Sequence, residues 1–171
     1  MLTPPPLSGH FHDAPFTRKF SAVIPTPFGA LGILSPGECL EEIEFLPPGH
    51  SVALPANKLA ELAVRQLERY LVDPDFRFEL PLARHGTDFR RRIWAAIAAI
   101  PRGQTRTYGD LARDANSAAR AVGQACGDNP LPIVIPCHRV VAATGLGGFA
   151  HDSGGFLLDV KRWLLRHEGA L

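Results

Sequence analysis

Cysteine is scarce in this 171-residue chain, and Cys39, Cys126 and Cys137 form an odd count with no paired spacing. That excludes a disulfide framework and predicts a reducing compartment, the cytoplasm. Long apolar runs are missing too: none approaches the ~18 residues needed to cross a bilayer, so no membrane association is expected. Residues 1–15 lack a basic stretch followed by an apolar one, which excludes a secretion signal and reads as a loose leader. Neither charge dominates, with 18 Lys+Arg against 17 Asp+Glu. What is present is 46% hydrophobic residues, the composition of a globular protein of one domain or two small ones. The balance hides an asymmetry: residues 1–85 carry 7 basic and 10 acidic side chains, residues 86–171 carry 11 and 7. A net +4 in the second half favours a polyanionic partner there, although a solvated basic face has the same composition.

The first half reads as scaffold. Residues 20–24, 29–34 and 38–46 are short apolar, β-branched segments separated by Pro-Phe-Gly and Ser-Pro-Gly turns, which predicts a small antiparallel meander. Leu59, Leu62, Ala63, Val64, Leu67, Tyr70 and Leu71 recur at helical spacing, predicting a helix over 56–72 that Asp73-Pro74 ends. His10, His12, His50 and Cys39 lack ligand spacing and read as scattered surface groups, so no metal site is expected.

The second half carries the residues with chemistry. Thr87 can cap a helix running to Ile100 with Phe89, Ile93, Trp94, Ile97 and Ile100 as its stripe; Arg90, Arg91 and Arg92 project around its start and read as a solvated face. Thr107 is placed to cap a short helix over 108–113, and Asn116-Ser117 to start a second over 117–126, a pair that reads as a helix-turn-helix. The second helix is almost entirely small residues. These offer little hydrogen bonding to base edges but allow close backbone approach, either to a groove or to another helix. In the last helix Phe156, Val160, Trp163, Leu164 and His167 share a face. The fold class is therefore α+β: a small antiparallel sheet with a helix in an N-terminal scaffold domain (1–85), then a mostly helical domain (86–171) containing a helix-turn-helix.

Between those helices lies Asn129-Pro-Leu-Pro-Ile-Val-Ile-Pro-Cys-His-Arg-Val-Val141. Pro130, Pro132 and Pro136 remove three backbone donors, which excludes helix and central strand and predicts a rigid extended segment. The Ile133-Val134-Ile135 run predicts burial on both faces. Cys137 beside His138 and Arg139 has the setting of a nucleophile, because neighbouring cationic groups favour the reactive thiolate. An inert core thiol is the alternative reading. Adjacent residues on a strand face opposite ways, so Cys137 and His138 can cooperate only if the backbone turns or a water bridges them.

Asn129-Pro130, the run Ile135-Pro136-Cys137-His138-Arg139-Val140-Val141 and the closing Lys161-Arg-Trp-Leu-Leu-Arg-His-Glu168-Gly169 resemble the O6-alkylguanine-DNA alkyltransferase family, over about residues 87–169. The resemblance implies direct-reversal DNA repair; no cofactor is expected, and although some members of the family carry a structural zinc in the first half, the Cys and His positions here do not support one. An alkyl group, methyl foremost, passes irreversibly and once per molecule from O6-alkylguanine, and also O4-alkylthymine, in double-stranded DNA to Cys137. It implies a monomer whose second small helix enters the minor groove, with Ser117, Ala118, Ala119, Ala121 and Gly123 against DNA. Arg120 would take the place of the base that rotates out at a cost of a few kcal/mol. Tyr108 would repel the target phosphate, bond the flipped base and donate to the leaving guanine. Glu168 and His138 would form a relay through a water that leaves Cys137 as thiolate at neutral pH. Asn129 would brace the segment, while Pro136, Val140, Gly147, Gly148, Phe149 and Ser153 shape it and the alkyl pocket. The sequence departs from the family after Phe149: Ala150-His151-Asp152-Ser153 intervene before Gly154-Gly155, so either Ser153 or the Ala150 backbone would supply the polar group near O6. A non-catalytic damage sensor or regulator is a second reading, since such proteins resemble the family but lack the cysteine that is present here; a Cys-His hydrolase is a third.

Overall fold

A computed structural model describes residues 20–171; the expectations for residues 1–15, including His10 and His12, lie outside them. The chain is α+β, with β1 (Ala22–Thr26), β2 (Gly29–Leu34) and β3 (Glu42–Leu46) forming an antiparallel sheet in sequence order. Thr26 pairs with Gly29 across a two-residue connection, and Ala30 pairs with Leu46. Pro25 is tolerated because β1 is an edge strand. Leu31 and Ile33 point to the main core, whereas Ala30 joins Val23 and Leu46 on the other face.

Helix α1 (Lys58–Val72) covers the sheet with Ala60, Ala63, Leu67 and Tyr70. Its N-terminus is fixed by Asn57, whose Oδ1 accepts from Ala60 N at 2.8 Å while Nδ2 donates to Ser35 O at 2.8 Å. The helix is thus capped and tied to the sheet by one side chain. Helix α2 (Asp88–Ala98) is capped by Thr87 and buries Ile93, Trp94 and Ile97. Trp94 Nε1 donates to Ala125 O at 2.8 Å, which satisfies the indole and docks α2 on the fourth helix.

After β4 (Arg106–Thr107), a reciprocal Thr107/Asp110 capping box starts α3 (Tyr108–Asp114), and α4 spans Ala119–Gly127. Asn116-Ser117 was expected to begin α4; it ends α3 instead. Asn116 adopts φ 50°, its N–H reaches Arg113 O, and Ser117 N donates to Ala112 O at 2.8 Å. This is a left-handed helix stop with asparagine in the position glycine usually takes. Ser117 and Ala118 therefore lie in the α3–α4 turn.

The proline-rich stretch also differs from expectation. It is a turn, not an extended segment: Ile135 N donates to Leu131 O at 2.8 Å and Ile133 sits at φ 73°. Asn129 drives this by bonding backbone groups inside the loop, Leu131 N to Oδ1 at 2.9 Å and Nδ2 to Ile135 O at 2.8 Å. Of the apolar run only Ile133 is fully buried; Val134 and Ile135 are half-buried. A 3₁₀ turn at Cys137–Arg139 leads to β5 (Val140–Val141), which pairs in parallel with β4. Helix α5 (Gly155–His167) closes the chain. No helix among the described residues is long and apolar enough to cross a membrane.

Candidate active site

The backbone turn that Cys137 and His138 needed is present. Cys137 N donates to Ile135 O at 2.8 Å, and in the 3₁₀ turn Arg139 N donates to Pro136 O at 3.0 Å, so the backbone curves where an extended strand would set the two side chains on opposite faces. Cys137 is 3% exposed. Asn129 Nδ2, besides bracing Ile135, lies 3.1 Å from Cys137 Sγ. One amide therefore holds the turn and touches the sulfur.

His138 and Glu168 are both fully buried, with Nε2 2.8 Å from Glu168 Oε1. Glu168 caps the C-terminus of α5, and Gly169 takes φ 78° so that Ala170 N can return to Leu165 O. That left-handed glycine turns the chain back and fixes the carboxylate inward. Arg139 binds it bidentately, Nε to Oε2 at 3.0 Å and a terminal nitrogen to Oε1 at 2.9 Å, and Tyr70 O–H donates to Oε1 at 2.8 Å. Burial alone would raise the Glu168 pKa, but the hydrogen bonds and charges of His138 and Arg139 outweigh it and hold it at about 2. Burial lowers the His138 pKa despite Glu168. A neutral ring donating from Nε2 to the carboxylate leaves Nδ1 as a lone pair, and Nδ1 is buried without a hydrogen-bond partner among the described residues. It is the unused basic atom of the residue that follows Cys137.

Burial, and then the Cys126 thiol beside it, push the Cys137 pKa well above the usual value, while Asn129 and Lys161 pull it down. That direction favours the protonated thiol, so forming the thiolate that the resemblance implies calls for a base. Tyr108 opens α3, and its O–H donates to Gly148 O at 3.1 Å. Burial raises its pKa strongly, so it keeps its proton as a donor. Gly147 (φ 71°) approaches so closely that a Cβ there would lie 2.9 Å from the Tyr108 ring.

Lys161, which the sequence offered only as part of the closing motif, is a buried cation in the apolar stripe of α5. Its Nζ donates to Val140 O at 2.7 Å, Leu146 O at 2.6 Å and Gly148 O at 2.8 Å, stapling the glycine loop to β5. Burial brings its pKa down to about 8.

Cys137 lines a cavity of about 430 Å³ together with Tyr108, Gly123, Cys126, Gly148 and Ser153, among others. A second of about 190 Å³ lies toward Phe45, Asn129 and Phe149. Ala119 lines the first cavity, whereas Ser117, Ala118, Arg120 and Ala121 lie outside it, the first three exposed and Ala121 half-buried. Arg120 makes no ion pair or hydrogen bond among the described residues. Pro136 faces away, into a groove with Tyr70 and Arg139. Tyr70, Cys126 and His151 joined the site without a sequence signal of their own; Arg139 stood inside the motif and could have been read as the partner of Glu168.

Residues 88–170 match the 6-O-methylguanine DNA methyltransferase, DNA binding domain family. The chain is 36% identical over 159 residues to a methylated-DNA–protein-cysteine methyltransferase of Methanosarcina acetivorans, covering 88% of this chain and 99% of that protein. The chain belongs to the methylated-DNA–protein-cysteine methyltransferase family. A family member of Haemophilus influenzae is 37% identical over 164 residues, covering 89% of this chain and 87% of that protein. The fold is similar to the crystal structure of Mycobacterium tuberculosis O6-methylguanine methyltransferase, with a TM-score of 0.72 at 35% identity over 86% of this chain and 91% of that one. The Mycobacterium tuberculosis OGT in complex with DNA gives 0.72 at 37% identity, with the same coverage. Residues 88–170 are accordingly the family's DNA-binding domain in this chain.

Proposed function

We propose that this chain repairs alkylated DNA by moving an alkyl group from guanine O6, and from thymine O4, to Cys137, once per molecule. Residues 86–171 carry the DNA-binding and acceptor functions, and residues 1–85 are the scaffold. The observation that carries this reading is Cys137 in the lining of a cavity, next in sequence to a buried His138 that pairs with Glu168 and leaves Nδ1 unused. A stacked base cannot reach a sulfur that is 3% exposed in such a cavity, so the nucleotide leaves the duplex. The small residues of α4 allow the minor groove to approach, and exposed Arg120 is free to occupy the vacated space.

The chemistry follows from the proton positions. Cys137 gives its proton through a water to His138 Nδ1, and Glu168 with its charge below stabilises the imidazolium. The sulfur attacks the alkyl carbon in line; the S–C bond forms as the C–O bond breaks, and the electron pair leaves with the guanine. Tyr108 O–H donates toward that developing charge. The product is a thioether, which water does not cleave, so turnover stops at one, and the chain works as a monomer.

Incubation with a duplex containing O6-methylguanine, followed by intact mass and peptide mapping, tests this. One added CH₂ on Cys137, lost in Cys137→Ala, is expected. Mapping is needed because Cys126 lines the same cavity; an unmodified protein, or a methyl on Cys126, would sink the proposal.

A further inference from the structure

Residues 150–153 fold back over the end of α4. Ala150 (φ 50°) and His151 (φ 66°) both take left-handed backbone, which side-chain-bearing residues adopt only when their surroundings hold them there. The holding contact is visible. The His151 ring lies over Gly127, the last residue of α4, so closely that a Cβ at Gly127 would be 2.3 Å from it. His151 Nε2 is 2.7 Å from Asp128 Oδ1, and the other Asp128 oxygen pairs with Arg90 of α2. Phe149 N and O bond Asp152 O and N at 2.7 and 2.9 Å, closing the loop into a tight hairpin. Ala150 to Ser153 line the same cavity as Cys137.

We propose that His151 is a specificity-determining positioning residue: seated over Gly127 and clasped to Asp128, it fixes the 150–153 loop at the distance from Cys137 that limits the size of the alkyl group admitted. This rests on the alkyl-transfer reading. His151 touches no reacting atom; it acts through the loop. Three separate positions meet in the clasp, a residue without a side chain at 127, an acceptor at 128 and a cation at 90 that orients the acceptor. The His151 side chain is 46% exposed, so the bond itself adds little to global stability. Its loss is therefore read in the loop and the cavity rather than in the fold.

Single-turnover rates on duplexes carrying O6-methylguanine or O6-benzylguanine test this with the full chain and three variants. His151→Ala removes the clasp. Gly127→Ala displaces the ring from the opposite side while favouring the helix, so agreement between the two, with unfolding midpoints recorded, excludes misfolding as the cause. His151→Gln keeps a donor toward Asp128. The benzyl-to-methyl ratio is expected to rise about tenfold in His151→Ala and Gly127→Ala and to stay within about twofold of the parent in His151→Gln. A ratio unchanged or lowered in the first two, or equally raised in His151→Gln, overturns the clasp. Absence of methyl transfer by the parent chain would overturn the alkyl-transfer reading and the clasp with it, which separates the two failures.

Discussion

A thiol removed from water keeps its proton, and at Cys137 burial and the neighbouring Cys126 outweigh the pull of Asn129 and Lys161. Transfer at neutral pH therefore depends on a base, and His138 is the base at hand. Its pKa lies below the usual 6.5 because it is buried, so the basic form is fully available at neutral pH. In the parent protein the single-turnover rate should be flat above about pH 6.5 and fall in acid as Nδ1 is occupied. His138→Gln should lower the neutral-pH rate by about 10²-fold or more and make it climb with pH toward the raised thiol pKa. A flat profile in that variant would remove His138 from the proton path. The same two buried groups set acid stability. Glu168 has a folded pKa of about 2 against the usual 4.5, so its contribution is present above 4.5 and lost as pH falls toward 2. His138, with its folded pKa depressed, resists the proton that the unfolded chain takes up below 6.5, and so also destabilises in acid. The urea midpoint should hold from pH 8 to about 6.5, decline below that and drop most steeply below 4.5; a midpoint that rises on acidification would contradict both directions.

At the scale of the element, α4 carries an unusual helix composition because its two sides face different things. Val122, Ala125 and Cys126 are buried, while Ala119 and Arg120 are exposed and Gly123 has open space where a Cβ would go. Gly123→Ala should therefore stabilise the fold by about 0.5–1 kcal/mol, since nothing opposes the added methyl and alanine favours helix. If the groove lies against this face, the same methyl should weaken duplex binding. Opposite signs, read by urea titration and by DNA affinity at fixed salt, are the expected result; parallel signs would place the DNA elsewhere. The existence of the helices was legible in sequence because caps and stripes are local signals, as at Thr87, Thr107 and the α1 face. The start of α4 was not. Asn116-Ser117 has the residue types of a helix start, and only the i−5 return of Ser117 N to Ala112 O makes it a helix stop. The 130–136 turn was hidden for a related reason: three prolines restrict their own φ but do not say that Ile133 will sit at φ 73°, which Asn129 imposes from outside the run.

Across the whole molecule the candidate site hangs on contacts that no local pattern encodes. The family resemblance singled out Cys137, His138 and Glu168, yet Tyr70 looked like one more apolar stripe residue of α1. Its hydroxyl reaches Glu168 from 98 residues away. The surrounding joints are of the same kind: Ile43 N to Pro130 O at 2.9 Å, His167 Nε2 to Tyr70 O at 2.7 Å, and edge contacts between the Phe28 and Trp163 rings. One continuous core includes Leu31, Tyr70, Ile97, Cys137 and Leu164, so the sheet and α1 press directly on the residues that hold the carboxylate. Tyr70→Phe isolates this coupling because the ring, its packing and its backbone carbonyl stay in place. Losing a hydrogen bond to a charged acceptor should cost about 1.5–3 kcal/mol. The Glu168 carboxylate retains His138 and Arg139, so alkyl transfer should slow by less than the roughly 10²-fold expected on removing the base itself. Urea unfolding and single-turnover transfer on the same preparation read both effects. A variant as stable and as fast as the parent would mean that the N-terminal residues only fill space behind the site, whereas a loss in both would make α1 part of what holds Glu168 in place.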